Sequence, residues 1–141
     1  MGFAAALAVA LVFVWTGMLL AISFLETPLK FRAPDVTLRI GLGIGRLVFR
    51  ALNAVESVFA VALLAAVFAG DVRTGAEAAV VVAAALLATQ VGLVRPRLSR
   101  RSDRVLAGED APRSRAHYVY VVAEVGKLAA LLVAGALLLS A

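Results

Sequence analysis

The sequence predicts an all-α protein: a four-helix transmembrane bundle with both termini outside and a cytoplasmic helical lead-in to the second span. Three observations predict it. Of 141 residues 63% are hydrophobic, too many for a soluble domain whose surface must be largely polar. The apolar residues gather into four runs, each near the roughly 20 residues a helix needs to cross about 30 Å of hydrocarbon. The basic residues gather between those runs on alternate sides, the pattern that orients a multi-pass protein. The chain therefore reads as one integral domain of the cell membrane, with spans at 3–25, 51–69, 76–94 and 118–140.

The first run, Phe3 to Leu25, lacks a basic n-region and a cleavage site, and three further spans follow it, so it reads as an uncleaved helix. Thr27-Pro28 and Ala33-Pro34-Asp35 then interrupt helix, and Val36 to Phe49 forms the lead-in to the second span. A continuous helix from Val36 to Ala69 would be about 50 Å long and must project, tilt or break. Gly41, Gly43 and Gly45 mark the place for a bend or a close helix contact, Gly41 and Gly45 being spaced as G-x-x-x-G. An anion cradle there is the weaker alternative, because no strand precedes the glycines and no G-K-S/T follows.

The third run is shortest, Ala78 to Val94, with Thr74, Gly75 and Ala76 able to extend it. Arg95-Pro96-Arg97 is expected to stop that helix, and Ser99 to Leu106 to form a short basic interfacial helix before the turn at Gly108 to Pro112. Lys30, Arg32, Arg39, Arg46 and Arg50 lie in or beside the first connection. The third carries Arg95, Arg97, Arg100, Arg101, Arg104, Arg113 and Arg115, against Arg73 alone in the second. That imbalance places the first and third connections in the cytoplasm.

The net charge of +5 does not point to nucleic acid, since the arginines sit where orientation signals belong. Arg46, Arg50, Arg97, Arg100, Arg101 and Arg104 are instead candidate contacts for anions or lipid headgroups, each worth on the order of 1 kcal/mol near an anionic surface. With no cysteine, thiolate metal sites and cysteine nucleophiles are excluded.

Polar residues recur at one depth. His117, Tyr120, Glu124 and Lys127 stand at i, i+3, i+7 and i+10, on one face of the fourth helix, and Leu131 and Ala134 continue that stripe. In the second helix Arg46, Arg50, Asn53 and Ser57 share a face with Glu56 beside them; Thr89 and Gln90 lie at similar depth in the third, Ser23 and Glu26 in the first. Glu124 would lie roughly 12 Å along its helix and Lys127 roughly 16 Å. Charges in hydrocarbon cost at least ~2.5–3.5 kcal/mol each, so Glu56, Glu124 and Lys127 should face inward and pair. Two carboxylates against one ammonium leave a surplus negative charge for a proton, an arginine or a cation to balance. Two readings stand: pairing that fixes helix register, with Lys127 snorkelling toward water, or a ligand or proton site that includes Asn53, Gln90, His117 and Tyr120. One histidine without cysteines makes a poor metal site, so His117 reads as an interfacial side chain and neither metal nor cofactor is expected. Trp15, mid-span, reads as a packing residue.

Trp15-Thr16-Gly17 in the first helix is one of four matching motifs. The others are Phe24 with Thr27-Pro28-Leu29-Lys30-Phe31, the glycine-rich entry to Leu47-Val48-Phe49, and Arg95-Pro96-Arg97-Leu98. They resemble a family of small four-helix membrane proteins of unknown function that includes bacterial members and the eukaryotic transmembrane protein 205. The resemblance covers most of the chain and implies topology; it assigns no catalytic residue. Where that family carries Leu-His before its last helix this chain has Ala116-His117, and the Glu124 to Lys127 pair does not carry over.

The functional expectation is a cytoplasm-facing polar vestibule that binds a small solute or ion, coupled to protonation of Glu56 or Glu124. Four helices enclose little space, so transport would call for a homodimer and alternating access. The alternative is a non-transporting accessory or scaffold subunit that packs against a larger membrane partner and holds anionic lipid. An enzyme is not expected, because no nucleophile, metal or cofactor motif accompanies Tyr120, His117 and Glu124.

Overall fold

Four helices build the fold of the computed structural model: α1 Phe3–Lys30, α2 Leu38–Phe68, α3 Ala76–Leu106 and α4 Arg115–Ser140, each long and apolar enough to cross a membrane. The structure describes residues 1–70, 72, 75–113 and 115–141, and no strand occurs among them. Arg73, the lone basic residue of the second connection, and Thr74, the extension of the third span, lie outside the described residues.

The helices close a ring in which α1 packs on α2 and α4, α2 on α3, and α3 on α4. Neighbours run antiparallel, as short connections require. Gly70, just past α2, abuts Ala4 at the start of α1, and Gly75, at the start of α3, approaches Leu137 near the end of α4. Outward faces stay apolar: Val58 and Val61 on α2 are 66% and 69% exposed, which water would penalise and lipid tails would not.

Two expectations about helix ends are corrected. Thr27-Pro28 does not interrupt α1, and Arg95-Pro96-Arg97 does not end α3; both helices run through their prolines. The device is the same in each. A π-helical stretch, Leu20–Glu26 in α1 and Gln90–Val94 in α3, lies immediately upstream. A proline ring clashes with the carbonyl four residues before it, here Phe24 and Gly92, and both fall inside the widened turns. Changing the acceptor from i−4 to i−5 moves those carbonyls out of the way. Side chains add bonds to carbonyls of the same stretches: Thr27 Oγ1 donates to Ile22 O at 2.8 Å, an oxygen that also accepts the Thr27 backbone N–H, and Arg97 Nη1 donates to Leu93 O at 2.8 Å. The basic segment expected as a separate helix is therefore the last part of α3.

The lead-in to the second span is helical and continuous with it. Thr37 caps α2, its Oγ1 accepting from Ile40 N at 3.2 Å. At the glycines the helix makes close contacts: a Cβ at Gly41 would overlap the Phe31 ring, and one at Gly45 would lie 3.1 Å from Lys30 Nζ. α2 and α3, with 31 residues each, are about 46 Å long and outreach the hydrocarbon by about 16 Å. Their overhangs meet at the end that carries the 31–37 and 107–114 connections, hereafter the basic end, where Arg46 Nη1 lies 2.5 Å from Asp103 Oδ1.

Buried residues stack in layers along the bundle. The larger apolar core fills the far end with Ala8, Val12, Trp15 and Leu19 of α1, Leu63 and Val67 of α2, Val80 and Leu87 of α3, and Leu131 and Leu138 of α4. A smaller cluster of Val94, Ala116 and Tyr120, flanked by Phe49 and Leu98, sits toward the basic end. Asn53, Glu56, Gln90, Glu124 and Lys127, all buried, lie between the two.

Candidate functional site: a buried charge network

Lys127 stands at the centre of the polar layer. Its ammonium lies 2.5 Å from Glu56 Oε2 and 2.7 Å from Glu124 Oε1. Glu56 and Lys127 have no exposed surface and Glu124 has 3%, so Lys127 is held by partners and does not snorkel. Helical geometry accounts for one of the two ion pairs: Glu124 and Lys127 are i, i+3 neighbours on α4, and side chains lean toward the helix N-terminus. Glu56 comes from α2 across the bundle.

Neutral donors complete the shell. Trp15 Nε1 of α1 donates to Glu56 Oε2 at 2.7 Å. Gln90 Nε2 of α3 donates to Glu124 Oε1 at 2.8 Å and to Tyr120 O at 3.2 Å, which also fixes the amide's orientation. Ser23 of α1 donates its hydroxyl to Glu124 Oε2. Every helix thus supplies a group to one network. Each π stretch also carries one of Glu124's neutral donors, Ser23 in α1 and Gln90 in α3. In a regular helix Ser23 would sit about 80° round from Trp15. The wider π turn advances less per residue and brings it back toward the network.

Among the described residues, two buried acceptors of this layer have no donor. Glu56 Oε1 and Gln90 Oε1 are buried without a hydrogen-bond partner, which for a carboxylate oxygen costs much of its lost hydration. With all three groups ionised, two carboxylates and one ammonium sum to a formal charge of −1, in the same layer as the unfilled oxygens.

Tyr120 and Asn53 lie one step nearer the basic end. Tyr120 OH donates to Asn53 Oδ1 at 3.3 Å, and Ser57 Oγ to Asn53 O at 2.8 Å. Beyond them a groove of about 310 Å³ opens between α2 and α3, lined by Arg46, Arg50, Asn53, Ala54, Ser57, Val91, Arg95 and Ser99. None of the network's three charges lines it. The expected vestibule is therefore two compartments: a sealed charge network and an open groove, joined through Asn53.

Of the other expected site residues, His117 is not brought to the network; its ring stacks edge-on with Tyr118 at 5.5 Å. Arg101 Nε donates to Ala111 O at 3.0 Å, and Arg104 Nε lies 3.5 Å from Glu109 Oε2. These two and the exposed Arg100 lie outside the groove that Arg46 and Arg50 line. Thr89 turns its hydroxyl to Ala85 O at 2.9 Å, and Glu26 pairs with Lys30 at 3.7 Å, so neither joins the network. Sequence reasoning missed the part played by Trp15 and Arg95. An indole N–H in an apolar run is a signal for a buried acceptor, since tryptophan rarely leaves that donor unused.

Compared with protein families, curated proteins and solved structures, the chain matches none.

Proposed function

We propose that this multi-pass membrane protein carries a small solute or ion and couples its passage to exchange of a proton or small cation at the Glu56–Lys127–Glu124 network. One observation carries the reading: the buried network has a surplus negative charge and two unfilled acceptor oxygens, Glu56 Oε1 and Gln90 Oε1. A proton or a small cation is the species that balances such a set, and intramembrane ionisable clusters of this kind occur where protons and ions pass. The excess of Lys and Arg in the first and third connections supports placing the basic end in the cytoplasm and both termini outside. The packed apolar core at the far end argues for alternating access over an open pore.

The test is flux in proteoliposomes. Purified protein should move protons or a monovalent cation down an imposed gradient, and Glu56→Gln or Glu124→Gln should abolish that movement. No flux from the parent, or unchanged flux in both variants, overturns the reading. A second reading, an accessory subunit whose charges only lock helix register, is favoured by the complete burial of the network. It predicts a co-purifying membrane partner and only lowered stability when the charges are neutralised.

A further inference from the structure

The groove between α2 and α3 is built from donors. Among the described residues its lining holds three arginines, two serines and an asparagine, and no carboxylate. Arg46 is already paired with Asp103, which leaves Arg50, without an acidic partner among the described residues, and Arg95. The latter is unusual. Its guanidinium carbon lies 4.8 Å from the Tyr120 ring centroid and 5.3 Å from that of Phe49, and those two rings meet edge-on at 5.8 Å. Cation–π contact on two aromatic rings fixes the guanidinium without satisfying its N–H groups. Among the described residues, Nε and Nη2 are both buried and have no acceptor.

Asn53 gives its Oδ1 to Tyr120, so its amide N–H groups remain for the groove, and Ser99 adds a hydroxyl. A groove whose described lining is cationic and hydroxyl- or amide-bearing, with no carboxylate, fits an anionic group rich in acceptor oxygens. Guanidinium forks match the oxygens of phosphate in charge and geometry. The volume, about 310 Å³, is at the low end of small-molecule sites, which suits one phosphate-bearing group.

We propose that this groove is a phosphate-binding site, with Arg95 and Arg50 as the principal ligands, for a phosphomonoester lipid headgroup or free inorganic phosphate. It uses none of the three network charges and stands independently of the proposed proton or cation exchange.

Two probes distinguish the sources. Full-length protein in neutral detergent is titrated calorimetrically with inorganic phosphate, and protein in phosphatidylcholine nanodiscs is titrated with phosphatidic acid. Saturable binding of phosphatidic acid with little response to phosphate identifies a lipid headgroup; the converse identifies the free anion; either supports the site. Arg50→Gln and Arg95→Lys should each weaken binding about tenfold, as expected when one charge-assisted or bidentate contact is lost. Arg100→Gln, an exposed site outside the groove with the same loss of charge as Arg50→Gln, should leave affinity unchanged. Arg50 is exposed, so its variant tests the site without burdening the fold. Glu56→Gln should still bind, which separates failure of this proposal from failure of the exchange reading. Absence of binding by either probe, or equal weakening by Arg100→Gln and Arg50→Gln, overturns the proposal.

Discussion

An ammonium held by two buried carboxylates is stable only as part of the set. Removing one member of a buried ion network leaves an uncompensated charge, so Lys127→Met alone should destabilise the protein by about 3–5 kcal/mol. Neutralising all three groups, with Glu56→Gln, Glu124→Gln and Lys127→Met together, should recover most of that loss. Thermal unfolding in detergent measures both, and a triple variant no more stable than the single one would contradict this account. Trp15→Phe keeps most of the ring but leaves Glu56 Oε2 short of a donor, and should cost about 1–3 kcal/mol by the same measurement. Glu56, Glu124, Lys127 and Gln90 were legible in the sequence because charged or amide groups inside apolar runs must converge, and counting along each helix gives the level. Ser23 was legible as to depth and not as to partner, since its direction depends on a π turn that a regular period does not contain. Arg95 was legible as a stop signal and an orientation charge but not as a site residue, because the rings that hold it, Phe49 and Tyr120, come from two other helices.

At the level of the helices, the spans were legible from hydropathy and length to within a few residues, while their junctions were not. Proline normally disfavours helix in the residue before it, and nothing in Thr27-Pro28 or Arg95-Pro96 announces that the preceding turn will widen instead. The glycines show the opposite case, where a missing side chain is itself the signal. A Cβ at Gly70 would collide with the carbonyl oxygen of Ala66 and with Ala4 Cβ, and a backbone carbonyl cannot step aside as a side chain can. Gly70→Ala should therefore destabilise by about 1–3 kcal/mol, the usual cost of overpacking. Gly92→Ala, where a Cβ would meet nothing within 4 Å, should be tolerated. A lower melting temperature for the second than the first would show that the α1 to α2 contact has been misjudged.

For the whole molecule, the bundle was legible and its internal layering only in part. One polar layer open to the cytoplasm was the expectation; the structure has a sealed network with the Val94, Ala116 and Tyr120 cluster on its basic side. The cause is that Tyr120 and Phe49 close over the charges, a contact between helices that no single-helix pattern contains. The chain has no cysteine, so its orientation can be read by introducing them one at a time. Single cysteines at Gly2, Arg32, Glu109 and Ser140 should divide into two classes in intact cells. A membrane-impermeant maleimide should label the first and last; the middle two should react only after permeabilisation. The reverse pattern would turn the protein over in the membrane.

The unequal layers also have an electrical meaning. The groove admits water as far as Asn53, and Glu56 follows less than one turn further along α2, whereas the packed core beyond extends to Leu138 of α4. A membrane potential falls across the dry part of a protein, and a unit charge crossing the whole of it does about 2.3 kcal/mol of work per 100 mV. Most of that drop should lie on the far side of Lys127. The proposed exchange of a proton or cation between the basic end and the network should therefore respond only weakly to voltage, while any step that opens the far core should carry nearly all of the voltage dependence.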